Sequence, residues 1–327
     1  MKAYEHVLAF AVEHPWNLTR PMLGVIASIL ARRISGHDVD RAEIEAAIVN
    51  RKELPQPRRG TVAVIPVYGV IAPRMNLMSE LSGGTTFQQL SQDLRAAMAD
   101  KAVKTIVFDI DSPGGSVAGN AEFAAEVMRA RTKKPIIAQA QYTMASAAYQ
   151  LAAAATEIVA APSALVGSIG TFSIHDDLSE ALKQMGIKRT YIAAGEGKVE
   201  GNPTEPLGDE AQGRMQARVD AAYDTFVTTV ARGRGQGVTA EKVRSEWKAH
   251  VYGATQAKAI GMIDRVATLD ETLARLLDSS DDVIDTRAAL DSTVVDDTPQ
   301  DASRVSGQDR RPQLELERAT FELLIGM

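Results

Sequence analysis

From residue 87 onward, amphipathic helix-like runs and short apolar strand-like runs alternate along the chain. FQQLSQDLRAAMAD has helical spacing, TIVFDI reads as a buried strand, and VAGNAEFAAEVMRARTK is again helical. PIIAQA, ASAAYQLAAAAT and EIVAAP continue the series as strand, helix and strand. Elements of these lengths in alternation specify right-handed βαβ units around a mainly parallel sheet. Upstream, TVAVIPVYGVIAP is β-branched and breaks at Gly69, as a strand with a tight turn does. Downstream, IKRTYIAA reads as a further strand and Leu207 to Arg234 as a long helix. VTAEKVRSEWK, GATQAKAIG and LDETLARLL are expected as smaller helices that close the domain near residue 277.

Four segments follow. Residues 1–60 read as a helical N-terminal extension ending in the breaker-rich RKELPQPRRG, and residues 61–277 as the α/β domain. Nine aspartates between Asp278 and Asp309, with few large apolar residues, mark 278–312 as an acidic, disordered linker. In 313–327, Leu314, Phe321, Leu324 and Ile325 can share one face of a short C-terminal helix. Such a helix is too short to be stable alone in water, so docking on a partner or a second copy is expected.

The 327 residues carry no cysteine, which excludes disulfides, thiolate metal sites and a cysteine nucleophile. A net charge of −6 without a dominant basic patch argues against a nucleic-acid partner. The longest apolar run, MLGVIASILA between Arg20 and Arg32-Arg33, falls short of a membrane span, and the N-terminus lacks the pattern of a secretory signal. A cytoplasmic protein is expected.

Two strand-to-helix turns hold the chemistry. DIDSPGGS (109–116) follows the strand TIVF, and its paired glycines can bring bare N–H groups to the surface at a helix start. Such donors suit an oxyanion hole, although a lone SPGG is also an ordinary turn. About thirty residues on, Ser146 opens the alanine-rich helix. It is either a small packing residue or a nucleophile. A βαβ unit of that length sets both turns at the C-terminal edge of neighbouring strands, where α/β sheets place their sites. Ser146 would then attack a carbonyl held by the N–H groups of Gly115 and Ala147, with Gly114 the alternative to Gly115. A base is required, and the candidates are His175 in TFSIHDDLSE and Lys198 in the glycine-rich AAGEGKVEGNP. The Asp176-Asp177 pair beside His175 reads as a helix cap rather than a metal site. No phosphate-loop, GxGxxG or HExxH pattern is present, so no metal or organic cofactor is expected.

DSPGGS, MASAAYQLAAAATEIVAAPSALVGSIGTF and AAGEGKVEGNPTEPL together resemble the peptidase family of signal peptide peptidase A and the phage capsid-assembly proteases. The resemblance runs from about residue 62 to 277. HPWNLTRPMLGVIASIL and KVEGNPTEPL favour the phage and prophage branch. It implies a ClpP/crotonase-like fold with repeated ββα and βαβ units and a Ser–Lys dyad. Ser146 is then the implied nucleophile and Lys198 the implied general base. Ser168 is the implied hydrogen-bond partner of the lysine, and Gly115 and Ala147 are the implied oxyanion donors. The implied substrates are proteins, capsid or scaffold proteins among them, met in the host cytoplasm or the prohead. Single-domain bacterial members are rings that build each site from two protomers, so a homo-oligomer is implied as well. Two other readings are a ClpP-like protease with His175 as base and a catalytically silent capsid scaffold. A crotonase-type acyl-CoA enzyme shares the paired-amide oxyanion hole but needs no serine.

Overall fold

A computed structural model describes residues 16–18, 58–59, 61–74, 84–235 and 237–278. Its strands are β1 (Trp16–Leu18), β2 (Arg58–Arg59), β3 (Val62–Tyr68), β4 (Ile71–Ala72), β5 (Thr85–Thr86) and β6 (Thr105–Ser112). They continue as β7 (Gly114–Ser116), β8 (Ile136–Ala145), β9 (Glu157–Ala160), β10 (Leu165–Gly167), β11 (Val251–Gly253) and β12 (Arg265–Val266). The helices are α1 (Phe87–Ala99), α2 (Asn120–Ala130), α3 (Ala147–Ala153), α4 (Ser179–Gln184) and α5 (Asp209–Arg234). A short helix α6 (Ala240–Lys242) runs into a π turn at Val243–Trp247, and α7 (Ala254–Ala259) and α8 (Leu269–Asp278) follow.

Strands β3, β6 and β8 pair in parallel at the centre of the main sheet. Beyond β8 the sheet forks. The first half of β8 pairs with β9, and its last residues pair with β10. β12 extends the first branch in parallel and β11 the second antiparallel. A second, small sheet in the order β1-β7-β4-β5 carries the two glycines of SPGG, in β7. The fold is a mixed α/β, mainly parallel architecture of the ClpP/crotonase-like kind.

Both faces of the central strands are covered, as parallel strands require. Ile106, Phe108 and Ile110 face the larger core with α1, α2 and α3, while Val107 and Ile137 face Leu273 of α8. Helix α1 starts where the Thr86 side chain accepts a hydrogen bond from Gln89 N at 3.1 Å. It buries Phe87, Leu90, Leu94 and Ala97, the stripe expected of an amphipathic helix. At the start of α8, Thr268 N donates to Glu271 Oε2 and Glu271 N to Thr268 Oγ1, a capping box.

Helix α3 is fully enclosed, with all seven residues buried. Its alanines let neighbours come close. A Cβ on Gly233 of α5 would lie 2.0 Å from Ala153 O. Just past the end of α3, Arg131 Nη1 donates to Ala154 O and Ala155 O, and also to Gly233 O of α5, at 2.7–3.2 Å.

The structure differs from the sequence expectations in three places. The helical extension expected over 1–60 falls almost entirely outside the described residues, and the parts described, β1 and β2, are strands. IKRTYIAA is not a strand, since 187–194 has no ladder partner among the described residues and every residue in it is exposed. VTAEKVRSEWK, expected as one small helix, is the three-residue α6 running into the π turn at Val243–Trp247. The acidic linker (278–312, apart from Asp278 at the end of α8) and the C-terminal helix (313–327) lie outside the described residues.

Candidate active site

Ser146 sits between β8 and α3 with φ 55° and ψ −118°. A non-glycine residue in that region stores on the order of 1–3 kcal/mol of strain and marks a turn the surroundings enforce. It is the backbone habit of a nucleophile held on a sharp strand-to-helix turn. Two hydrogen bonds fix the turn. Ser146 N donates to Gly167 O at 2.8 Å, and Gln150 N donates to Ser146 O at 3.0 Å, closing the first turn of α3. Just upstream, β8 bulges against β6 between the pairs Ile110↔Ala140 and Ser112↔Met144, and Asp111 Oδ1 accepts the Thr143 N–H there at 3.2 Å. Ser146 is fully buried, and its Oγ has no hydrogen-bond partner among the described residues. An unsatisfied buried hydroxyl costs roughly 1–3 kcal/mol, which a base or a substrate would relieve.

Strand β7 packs against α3, so Gly115 lies beside the helix that Ser146 and Ala147 open. Gly115 has no room for a side chain, because a Cβ there would come within 1.9 Å of Ile71 O on β4. Ser112, fully buried, ties this strand down: its Oγ donates to Gly69 O at 2.7 Å and accepts the Gly114 N–H at 3.2 Å. The Gly114 amide is therefore engaged. Gly69, at φ 64°, makes the turn that Ser112 grips, and its own N–H donates to Asp111 O.

Ser168 follows β10 as Ser146 follows β8, and it too has a positive φ, 56°. Its N–H donates to His250 O at 2.7 Å. Gly167 is the hinge between the two serines: at φ 129°, a Cβ on it would meet His250 O at 2.4 Å.

The two candidate bases are not brought to the nucleophile. Ser146 Oγ bonds to neither Lys198 nor His175. Lys198 is exposed, in a turned loop where its N–H donates to Gly195 O. His175 Nε2 lies 3.1 Å from Asn202 O. The neighbouring Asp177 Oδ1 caps the start of α4 by accepting the Ser179 N–H, and bonds to Ser179 hold its carboxyl below the usual range. No residue from Thr171 to Glu210 is buried. This arm is nonetheless tied internally, through Asn202 to Val199, Thr204 and Glu205, and through the Glu200–Arg214 ion pair. Among the described residues no group of three His, Asp or Glu is arranged to hold a metal ion.

Sequence reasoning passed over Ser112 and β1. The signal for Ser112 was its place in SPGG itself. The signal for β1 was Pro15, which interrupts the helical reading just before Trp16.

A serine on a strained turn, a glycine strand against its helix and a ClpP/crotonase-like sheet together define the class. Residues 128–282 match the model of peptidase family S49, and this chain carries a domain of that family. It is 30% identical over 261 residues to capsid assembly protease C of Escherichia phage lambda, covering 78% of this chain and 59% of that protein. It is 35% identical over 179 residues to the head-tail preconnector protein GP5 of Enterobacteria phage P21, covering 55% of this chain and 36% of that protein. With Protease 4 of Salmonella typhi the identity is 32% over 222 residues, 68% of this chain and 35% of the relative. The chain thus spans between about a third and three fifths of these relatives.

Proposed function

We propose that this chain is a serine endopeptidase with Ser146 as nucleophile and Lys198 as general base, acting on proteins during phage or prophage capsid assembly. The observation that carries this reading is the buried, unpartnered Ser146 Oγ on its strained turn. Ser146 Oγ attacks the scissile carbonyl, Lys198 takes its proton and passes it to the leaving amine, and water then hydrolyses the acyl-enzyme. The N–H groups of Gly115 and Ala147 face the developing oxyanion. Ser168, on the adjacent strand end, holds the lysine amine. The names of the phage relatives support the capsid setting, with the host cytoplasm or the prohead as the compartment.

The base comes from a neighbouring subunit. In one chain Lys198 is exposed and Ser146 Oγ has no partner. The arm that bears Lys198 also exposes Leu178, Met185, Ile187 and Ile192, the last 99% accessible. Apolar side chains concentrated on one arm mark an interaction surface. Docked on a second copy, the arm would cover them and deliver the amine.

Incubation with a serine-directed fluorophosphonate, followed by peptide mapping, tests the nucleophile. A single adduct on Ser146, absent from Ser146→Ala, is the expected result. Incubation with candidate phage capsid proteins should yield a defined cut by mass spectrometry. No adduct together with no cut would leave the scaffold reading in its place.

A further inference from the structure

Strand β7 has two edges. One is closed by β4, with Ile71 paired to Gly115 and no space for even a methyl group between them. The other is taken by β1, which runs antiparallel with Trp16 opposite Ser116, Asn17 opposite Gly115 and Leu18 opposite Gly114. The chain's own N-terminal segment is thus paired, residue for residue, with the strand that carries the oxyanion glycine.

An extended peptide that presents a carbonyl to Gly115 N–H and to Ser146 has to lie along β7. Only one edge of β7 is open to an added strand, and strand addition recognises main chain rather than side chains. The segment 16–18 and a protein substrate therefore compete for the same backbone groups. The ladder is three residues long, short of the five or six typical of stable strands. Pro15 and Pro21 bracket it in the sequence, and neither can donate a ladder hydrogen bond. A short ladder is one that a longer substrate strand can displace.

We propose that Trp16–Leu18 is a built-in occupant of the substrate edge of Gly114–Ser116, so that the chain blocks its own site until a protein substrate displaces it. The proposal rests on the reading of Ser146 as nucleophile. Access is then set by competition within the chain, which favours long extended substrates over short peptides.

The test uses the full chain and two single variants, Trp16→Pro and Asn17→Pro. Successive N–H groups of a strand point to opposite edges, so one of these two faces β7 and the other does not. The rate of fluorophosphonate labelling at Ser146 and the hydrogen exchange of the Gly114–Ser116 amides are followed together, with Ser146→Ala as blank. A seat filled about 90% of the time lowers apparent reactivity about tenfold. One variant should therefore label about tenfold faster and lose amide protection, while the other stays like the parent. A synthetic peptide of residues 13–21 should slow the faster variant again. Lost protection with an unchanged or slower rate would make the pairing structural and overturn the proposal, as would two variants that both behave like the parent. No labelling of Ser146 in any form would overturn the nucleophile reading and the proposal with it, and that outcome is distinct because amide exchange still reports the ladder. A variant that simply unfolds loses labelling, whereas the proposal requires a gain.

Discussion

Ser146 and Ser168 stand at equivalent positions on neighbouring parallel strands, each one residue past the strand end and each with φ near +55°. The Ser146 N–H reaches across to Gly167 O, the residue just before Ser168, at 2.8 Å. Among the described residues only three non-glycines have positive φ, and these are two of them. Strain of this kind persists where the surroundings over-determine it, and it concentrates at functional sites. Each hydroxyl is thereby fixed at the C-terminal edge of the sheet.

Ser146→Ala should abolish peptide cleavage while raising stability by about 1 kcal/mol, because it removes a buried hydroxyl with no partner. Ser146→Gly should also be inactive, and it relieves the positive φ, an effect offset in part by about 0.5–1 kcal/mol of added backbone entropy cost. Urea unfolding of the three proteins measures both effects. Wild-type turnover in either variant would remove Ser146 from the mechanism.

Ser112 should behave as a positioning residue. Its hydroxyl joins Gly69 O to Gly114 N, so Ser112→Ala frees the strand that aims Gly115. Misplacement by about 1 Å can cost on the order of a hundredfold in rate. A fall in kcat of about tenfold to a hundredfold with little change in KM is expected, and Ser112→Thr should recover part of it. A loss confined to KM would show that Ser112 shapes substrate binding instead.

The parallel core was legible because TIVFDI, PIIAQA and EIVAAP are apolar runs separated by helix-length segments, a pattern that local sequence alone dictates. The turn at Ser146 was legible only as a position. Its positive φ depends on Gly167 and His250, about twenty and a hundred residues away, which no local pattern encodes. IKRTYIAA has strand composition, yet a strand exists only if an edge receives it, and among the described residues none does. The chain near Trp16 read as helix because its pairing partner, Gly114–Ser116, lies about a hundred residues on.

Asp109 gives a pH signature. Burial pushes its carboxyl above the ordinary value of 3.8, opposed by hydrogen bonds from Tyr68 and Gln141 and reinforced by the charge of Asp111. Because the folded chain holds this proton more tightly than the unfolded one, its contribution to stability is full below 3.8 and is lost as pH rises toward the raised folded value. The stability of Asp109→Asn relative to the parent should therefore increase with pH across that window and then level off. Denaturant titrations between pH 3.5 and about 7 check this, and a difference that falls with pH would contradict it.

The choice of base and the shared site can be decided together. Lys198→Ala should remove activity, and His175→Ala should leave most of it, since His175 is turned toward Asn202 O. The reverse ranking of the two variants would favour a ClpP-like arrangement. If Lys198 reaches Ser146 across a subunit boundary, Ser146→Ala and Lys198→Ala chains, each inactive, should regain activity when mixed. Random pairing lets some interfaces join an intact serine to an intact lysine, and a closed ring repeats that interface at every boundary. Subunit exchange is followed by native mass spectrometry while cleavage is assayed. Mixed assemblies without any recovered activity would show that each chain completes its own site, with the arm folding back on Ser146 rather than reaching outward.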